Sequence, residues 1–252
     1  MARSRGYVVY DQVASRYETG RALPLDVLDR WHAAVRPFLP APLIRLVDVG
    51  AGTGVFARAW PGWATAHVIA IEPSAAMIGV GTRVARSFEY VMGSAEALPL
   101  ADGSVDLAWV STAIHHFADV HRAIEELHRV LRPGGRILVR TYAPDRSDIT
   151  WAREFPGGEK WEPRFPRSGG LVAWFAQHDL PVIAVRDILE GTETYAASAA
   201  WASRMRDADS MLTALTEEEM AEGLARLRAD PDRLGRLELT LLVFEKGRSA
   251  GR

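Results

Sequence analysis

The chain has no cysteine among its 252 residues. That excludes disulfides, thiolate nucleophiles and Cys-ligated zinc, and no metal is expected; it says little about compartment. Long apolar runs are missing as well. No stretch of 18 apolar residues occurs, and the opening MARSRGYVVYDQVASRYETGR lacks the apolar block of a signal peptide. The expectation is a cytoplasmic protein without a membrane partner. Charge of one sign is also lacking: 30 Lys and Arg stand against 32 Asp and Glu, a net of −2. No strong field therefore favours nucleic acid or an anionic membrane. Repeats and low-complexity tracts are absent. What remains is 48% hydrophobic and 25% charged, ordinary for a globular chain able to bury an ample core. These exclusions leave a small molecule as the expected partner, with monomer or homodimer both open.

Apolar β-rich runs alternate with helical patterns along the first 142 residues. Strands are predicted over Ile44–Val49, His67–Ile71, Phe88–Met92, Val105–Val110 and Arg136–Tyr142. Between them lie a helix from Gly54 to Trp60 stopped by Pro61-Gly62, one opened by Ser74 through Val84, and one over Ala118–Leu131 closed by Pro133-Gly134-Gly135. This rhythm is that of a parallel sheet wrapped by helices. After Tyr142 it breaks. Ala143–Gly170 carries Trp151, Phe155, Trp161 and Phe165 among Pro and Gly and reads as an insertion. A helix over Leu171–His178, a strand over Pro181–Ile188 and helical pieces over Tyr195–Ala229 follow, with Thr216 and three glutamates as a helix start. The last strand, Leu237–Phe244, is expected antiparallel at or near the sheet edge.

The stretch Asp48–Gly54 reads DVGAGTG, three glycines directly after an apolar strand. Glycine weakens local structure, so a close approach of backbone to a ligand is the compensating reason to look for. A dinucleotide fingerprint asks for G-x-G-x-x-G, whereas here the third glycine comes one residue early and Val55 holds its place. A tight strand-to-helix turn with no ligand also fits the bare motif. Asp48 sits at the carboxyl end of its strand, where open α/β sheets bind ligands. Glu72, 22 residues after Gly50, ends the second strand, where a carboxylate can accept from both ribose hydroxyls. An acid beside the loop suits a cationic amine or sulfonium better than a pyrophosphate.

These blocks resemble the class I S-adenosylmethionine-dependent methyltransferases, in particular their small-molecule branch (UbiE-like, type 11). The resemblance rests on VDVGAGTG from Val47, IEPSAAMI from Ile71, the block from Gly93 to Phe117, and RVLRPGGRILV from Arg129. It is specific from about Leu43 to Arg140; beyond Tyr142 it is architectural only. It implies an α/β, Rossmann-like sheet of seven strands, mostly parallel with the last antiparallel, helices on both faces and helical or loop cap insertions. The expected division is one domain over 1–252: a helical cover over 1–40, a cofactor core over 41–142, substrate-side insertions over 143–235, and a last strand and tail over 236–252. The implied cofactor is S-adenosyl-L-methionine. Asp48, Gly50, Ala51 and Gly52 would face its methionine part, and Gly54 would allow close packing of the helix. Glu72 would hold the ribose, Pro73 and Met77 would flank adenine, Ala95 and Glu96 would border it, and Ser111 would lie near the amine. Ser94 stands where the family usually places an acid. Tyr17 and Arg21, within the YDQVASRYETGR segment, would cover the methionine side. Plainer roles compete: Asp48 as a turn cap, Met77 as core, Glu96 as a solvated acid, Tyr17 and Arg21 as an amphipathic surface helix.

Methyl transfer from a sulfonium needs alignment and, for a protic acceptor, a base. His115 and His116 are the base candidates, His116 ahead, since an ordinary imidazole titrates near neutrality; pinning their loop is the competing role. Acceptor choice would reside in Tyr7–Arg21, Ala143–Gly170 and Tyr195–Met220. There Trp151, Phe155, Trp161, Phe165 and Trp174 either line a site for a planar molecule or anchor the insertion. Arg140, Arg153, Arg164 and Arg167 are candidates for meeting an anionic group. The activity implied is O- or N-methylation of a small molecule. Two alternatives stay open: a protein of this fold that keeps the cofactor while catalysing a cyclisation or rearrangement, and a non-catalytic binder.

Overall fold

The computed structural model describes residues 14, 18, 20, 22–40, 43–84 and 87–248. Five parallel strands form its centre: β1 (Leu43–Val49), β2 (Thr65–Glu72), β3 (Glu89–Met92), β4 (Val105–Ser111) and β5 (Leu131–Thr141), in the order 3-2-1-4-5. A two-residue strand β6 (Asp148–Ile149) follows, then β7 (Val182–Thr194) and β8 (Leu234–Glu245). β8 lies antiparallel against β5 and, on its other side, against β7 along nearly its whole length. The last strand is thus antiparallel and near the sheet edge, as expected, with β7 outside it and running six residues past Ile188. β6, which the sequence does not announce, extends the β5 side of β8 by pairing with Leu237 and Glu238.

Side chains alternate across a strand, so each central strand feeds two cores. In β1, Ile44 and Leu46 join one cluster and Val47 and Val49 the other; Leu107 and Trp109 against Ala108 and Val110 repeat this in β4. Helices α1 (Leu25–Val35) and α2 (Val55–Trp63) cover the first face through Trp31, Phe56 and Trp60. α3 (Ala75–Val84) packs by β2 and β3. α4 (Val120–Val130) and α5 (Ser168–Ala176) cover the second face through Ile124, Leu127, Leu171 and Phe175, with Phe175 stacked on Phe244 at 3.9 Å. α6 (Tyr195–Met205) and α7 (Glu217–Ala229), the latter started by a Thr216–Glu219 capping box, complete the first face. Among the described residues no helix is long and apolar enough to cross a membrane.

The same alternation has a functional consequence. Asp48, Ser111 and Arg140 continue the rows Leu46, Trp109 and Leu138, so three polar side chains end adjacent strands on one face. They stand at the carboxyl ends of β1, β4 and β5. Between β1 and β4 the strand order reverses, the position where open α/β sheets leave a crevice.

Several element boundaries differ from the sequence reading, and two helix ends show why. Pro61 does not stop α2, which runs on to Trp63. Trp63 packs against Trp60, Phe56 and His32 at ring distances of 5.0, 6.0 and 5.6 Å, which offsets one missing N–H near the helix end. α4 ends at Val130 because Leu131 already pairs with Val105.

The helix after β2 is held close to the glycine turn by a small residue. A Cβ on Gly81 would lie 2.1 Å from Tyr90 Oη and 2.8 Å from the Thr53 carbonyl oxygen; one on Gly79 would meet nothing nearer than Arg83 Nη1 at 3.9 Å. Gly81→Ala is expected to destabilise by about 1–3 kcal/mol and Gly79→Ala to stabilise by about 0.5–1 kcal/mol. Urea unfolding of the two variants checks the opposite signs.

Candidate active site

The turn after β1 is fastened to the end of β2. Gly50 and Ala51 donate to the Ile71 carbonyl at 2.9 and 3.1 Å, and Gly52 donates to Glu72 Oε2 at 2.8 Å. Glu72 Oε1 accepts from the Ser74 N–H at 2.9 Å, and Ser74 Oγ caps α3 by accepting from Met77 N–H at 3.2 Å. Gly50 and Gly54 have φ of +71° and +80°, which L side chains rarely adopt. At Gly50 a Cβ would also sit 2.6 Å from Ala113 Cβ, so the bare backbone keeps the crevice open. Gly54 serves close packing, the role its motif position implies, but the neighbours it spares are on the β3 side. It lines neither cavity, and its Cα lies under Phe88 and Tyr90, each 2.6 Å from where a Cβ would be.

Two adjoining cavities open over this turn. The smaller, about 270 Å³, is lined by Gly50, Gly52, Glu72, Pro73, Met77, Ser94, Ala95, Glu96 and Ser111, with His116 and Phe117 opposite. The larger, about 510 Å³, takes in Asp48, Ala51, Thr53, His115, His116, Tyr142, Trp151, Phe165 and Trp201. Gly50, Gly52, Ser111, Thr112 and His116 belong to both and form the junction. Both volumes are in the range of small-molecule sites or just below it. Tyr17 and Arg21 lie outside the described residues. Their neighbour Gly20 lines the larger cavity, and its carbonyl accepts from Trp201 Nε1 at 2.9 Å.

The loop bearing Ser94, Ala95 and Glu96 is pinned from α4. Leu98 N–H donates to Glu126 at 2.8 Å, while Arg129 donates to the carbonyls of Leu98 and Leu100 at 3.0 and 2.8 Å. The Arg129 guanidinium holds the Glu126 carboxyl below its usual range. Glu96 borders the smaller cavity, yet its Oε1 also accepts from Ala118 N–H at 2.8 Å, so it helps start α4.

Sequence reasoning missed several residues of the larger cavity. His115 Nε2 and His116 Nε2 lie 3.3 and 3.2 Å from a single hydroxyl, Ser210 Oγ, and the two imidazoles sit 4.0 Å apart. One hydroxyl proton cannot serve two bare nitrogens, so at least one of the rings donates to Ser210. Thr112 has φ +47° and donates to the Arg140 carbonyl at 2.7 Å, a strained β-branched residue held at the junction. Glu190 on β7 pairs with Arg140. Ser210 carries no motif signal. Glu190, an acid next to Gly191 within an apolar strand, carries a faint one. The insertion's aromatics divide: Trp151 and Phe165 line the cavity, Phe155 and Trp161 are packed core, and Trp174 sits outside against His121. Arg153 and Arg167 pair with Asp148 and Glu162 at the surface.

The site fits the cofactor its motifs imply. Thr53 Oγ1 is buried on the cavity with no hydrogen-bond partner, as expected of a group that meets a polar ligand. Asp48 is buried, and desolvation, then the nearby Glu72 charge, push its pKa up to about 8, against a hydrogen bond from Ala57. A neighbouring ammonium or sulfonium would favour the ionised form. A carboxyl whose folded pKa lies above its unfolded value, near 3.8, stabilises the fold relative to the ionised state below that value. That contribution is lost as pH rises to about 8. Asp48→Asn is therefore expected to unfold at higher urea than the wild type, with a gap that widens from pH 4 to 8, then levels, on the order of a few kcal/mol. Urea titrations across that range check the slope.

Known proteins share this arrangement. A family model described as a methyltransferase domain matches residues 47–139. The ubiquinone/menaquinone biosynthesis C-methyltransferase UbiE of Methylobacterium nodulans is 38% identical over 142 residues, covering 52% of this chain and 56% of that protein. A malonyl-[acyl-carrier protein] O-methyltransferase of Serratia marcescens is 32% identical over 134 residues, covering 53% and 51%. The chain thus spans about half the length of these curated relatives. The crystal structure of the [4+2]-cyclase SpnF superposes with a TM-score of 0.66 at 19% identity, covering 95% of this chain and 94% of that one, a likeness of fold. With the glycine turn, the acid ending β2, the 3-2-1-4-5 order and the antiparallel β8 all in place, residues 47–139 match a methyltransferase domain, and the arrangement around them is similar to that of the class I S-adenosylmethionine-dependent methyltransferases.

Proposed function

We propose that the protein transfers the methyl group of S-adenosylmethionine to a small molecule held in the larger cavity. The observation that carries this reading is the junction: the two cavities meet at Gly50, Gly52, Ser111, Thr112 and His116. A nucleoside held by Glu72, Pro73 and Met77 would direct its sulfonium toward that point. The cofactor supplies the activated methyl group. This chain supplies alignment, worth up to roughly 7–11 kcal/mol in favourable intramolecular cases. Glu72 would accept from the ribose hydroxyls, Ala95 and Ser94 would border the adenine, and Thr53 with Asp48 would meet the amino-acid end.

His116 lies at the junction and is the base of this proposal, with His115 behind it. Ser210 lies within hydrogen-bond reach of both rings and so positions them together. Methyl-labelled cofactor incubated with candidate acceptors is expected to yield labelled product. Replacing both histidines with glutamine should lower turnover by about 100-fold or more and flatten its pH profile. Unchanged turnover and profile in the folded variant would leave the histidines with a structural role alone. A second reading, rearrangement or cyclisation over a retained cofactor, is supported by the overall likeness to the SpnF structure. It predicts tight cofactor binding with no label moved to any acceptor.

A further inference from the structure

The proposed methyl transfer leaves open which acceptors the larger cavity admits, and its charge arrangement bears on that choice. Among the described residues Arg140 is the one lysine or arginine lining the cavity, and each of its three guanidinium nitrogens already donates within the fold. Nε donates to Glu190 Oε1 at 3.0 Å, Nη2 donates to the same oxygen, and Nη1 donates to Ser111 Oγ at 3.1 Å. Trp31 Nε1 donates to Glu190 Oε1 at 2.7 Å. The guanidinium carbon also lies 5.0 Å from the Trp31 ring and 5.2 Å from Phe56. Side-chain exposure is 7% for Arg140 and 3% for Glu190, so water does little to screen the pair. Pulling Arg140 toward another anion would strand a buried glutamate, a strongly unfavourable exchange.

The rest of the lining points the same way. Among the described residues the lining also carries the carboxylates of Glu193 and Asp209 and no second lysine or arginine. Tyr142, Trp151, Phe165 and Trp201 line it with aromatic rings, which suit flat neutral or cationic groups better than anions. Trp151 and Trp201 stand 5.2 Å apart at the cavity wall.

We infer that the part of the larger cavity beyond the cofactor's amino-acid end selects a planar aromatic acceptor without negative charge, a phenol or an amine, and rejects carboxylate acceptors, with the Arg140–Glu190 pair as the element that withholds the cation. This rests on the methyltransferase reading and refines it. Three probes of matched shape test it: 2-naphthol, 2-naphthylamine and 2-naphthoate, titrated calorimetrically into the full chain saturated with S-adenosylhomocysteine. Naphthol and naphthylamine are expected to bind at least about tenfold more tightly than naphthoate. Glu190→Gln frees the guanidinium and is expected to raise naphthoate affinity by about tenfold or more. Naphthoate binding as well as the others, none of the three binding, or an unchanged naphthoate affinity in folded Glu190→Gln would overturn the inference. If the variant does not fold, the wild-type comparison decides. Failure to bind S-adenosylhomocysteine at all would instead strike the underlying reading, so the two failures are distinct.

Discussion

The hydrogen bond from the Gly52 N–H to the Glu72 carboxylate is the constraint on which the site depends. It ties the turn after β1 to the end of β2, while the other oxygen of the same carboxylate holds the start of α3 through Ser74. Tyr90 on β3 reaches the same turn by donating to the Gly52 carbonyl at 3.2 Å. Three elements therefore converge on one loop whose backbone needs left-handed φ and has no side chain at Gly50 to fill the crevice. A carboxylate already oriented by backbone donors is preorganised for two vicinal hydroxyls, because little rotamer freedom remains to be lost on binding. The turn and the acid form one device.

Beyond the junction the physics changes from backbone to side chains. The smaller cavity is bordered by a pinned loop and a capped helix, and the larger by pieces scattered along the chain: the residues before α1 and its first turn, the insertion after β5, β7, Trp201 of α6, the loop between α6 and α7, and β8. A shared scaffold with an exchangeable wall is how one fold supports many acceptors, and fold alone does not name the chemistry. The relatives make the same point, with one named for C-methylation and another for O-methylation. In this chain the wall combines ring faces, carboxylates and an arginine neutralised within the fold.

Legibility in the sequence followed the range of the interactions. β1, β2 and β4 were readable because both faces of a central parallel strand are buried, which leaves near-continuous apolar runs in the chain. The turn, Glu72 and Met77 were readable because their spacing is local and their residue types unusual at those places. Pro61 misled because its effect depends on Trp63 packing, a tertiary matter. The length of β7 was missed because Asp187, Glu190 and Glu193 interrupt its apolar pattern, while its pairing with β8 comes from a strand some 50 residues later. Ser210 and Glu190 were unreadable as site residues. Each acquires its role from partners 94 and 50 positions away, and no local pattern encodes such a meeting. Gly54 was readable as a packing glycine, but not that its missing Cβ spares Phe88 and Tyr90, because motifs record positions rather than neighbours.

The most direct test of the central claim is a calorimetric titration of S-adenosylhomocysteine into the wild-type chain and into Glu72→Gln. The account predicts one-to-one binding by the wild type and a loss of roughly 10–100-fold in the variant, the size expected when charge-assisted hydrogen bonds to ribose become neutral ones. No binding by the wild type, or equal affinity in a folded variant, would contradict it.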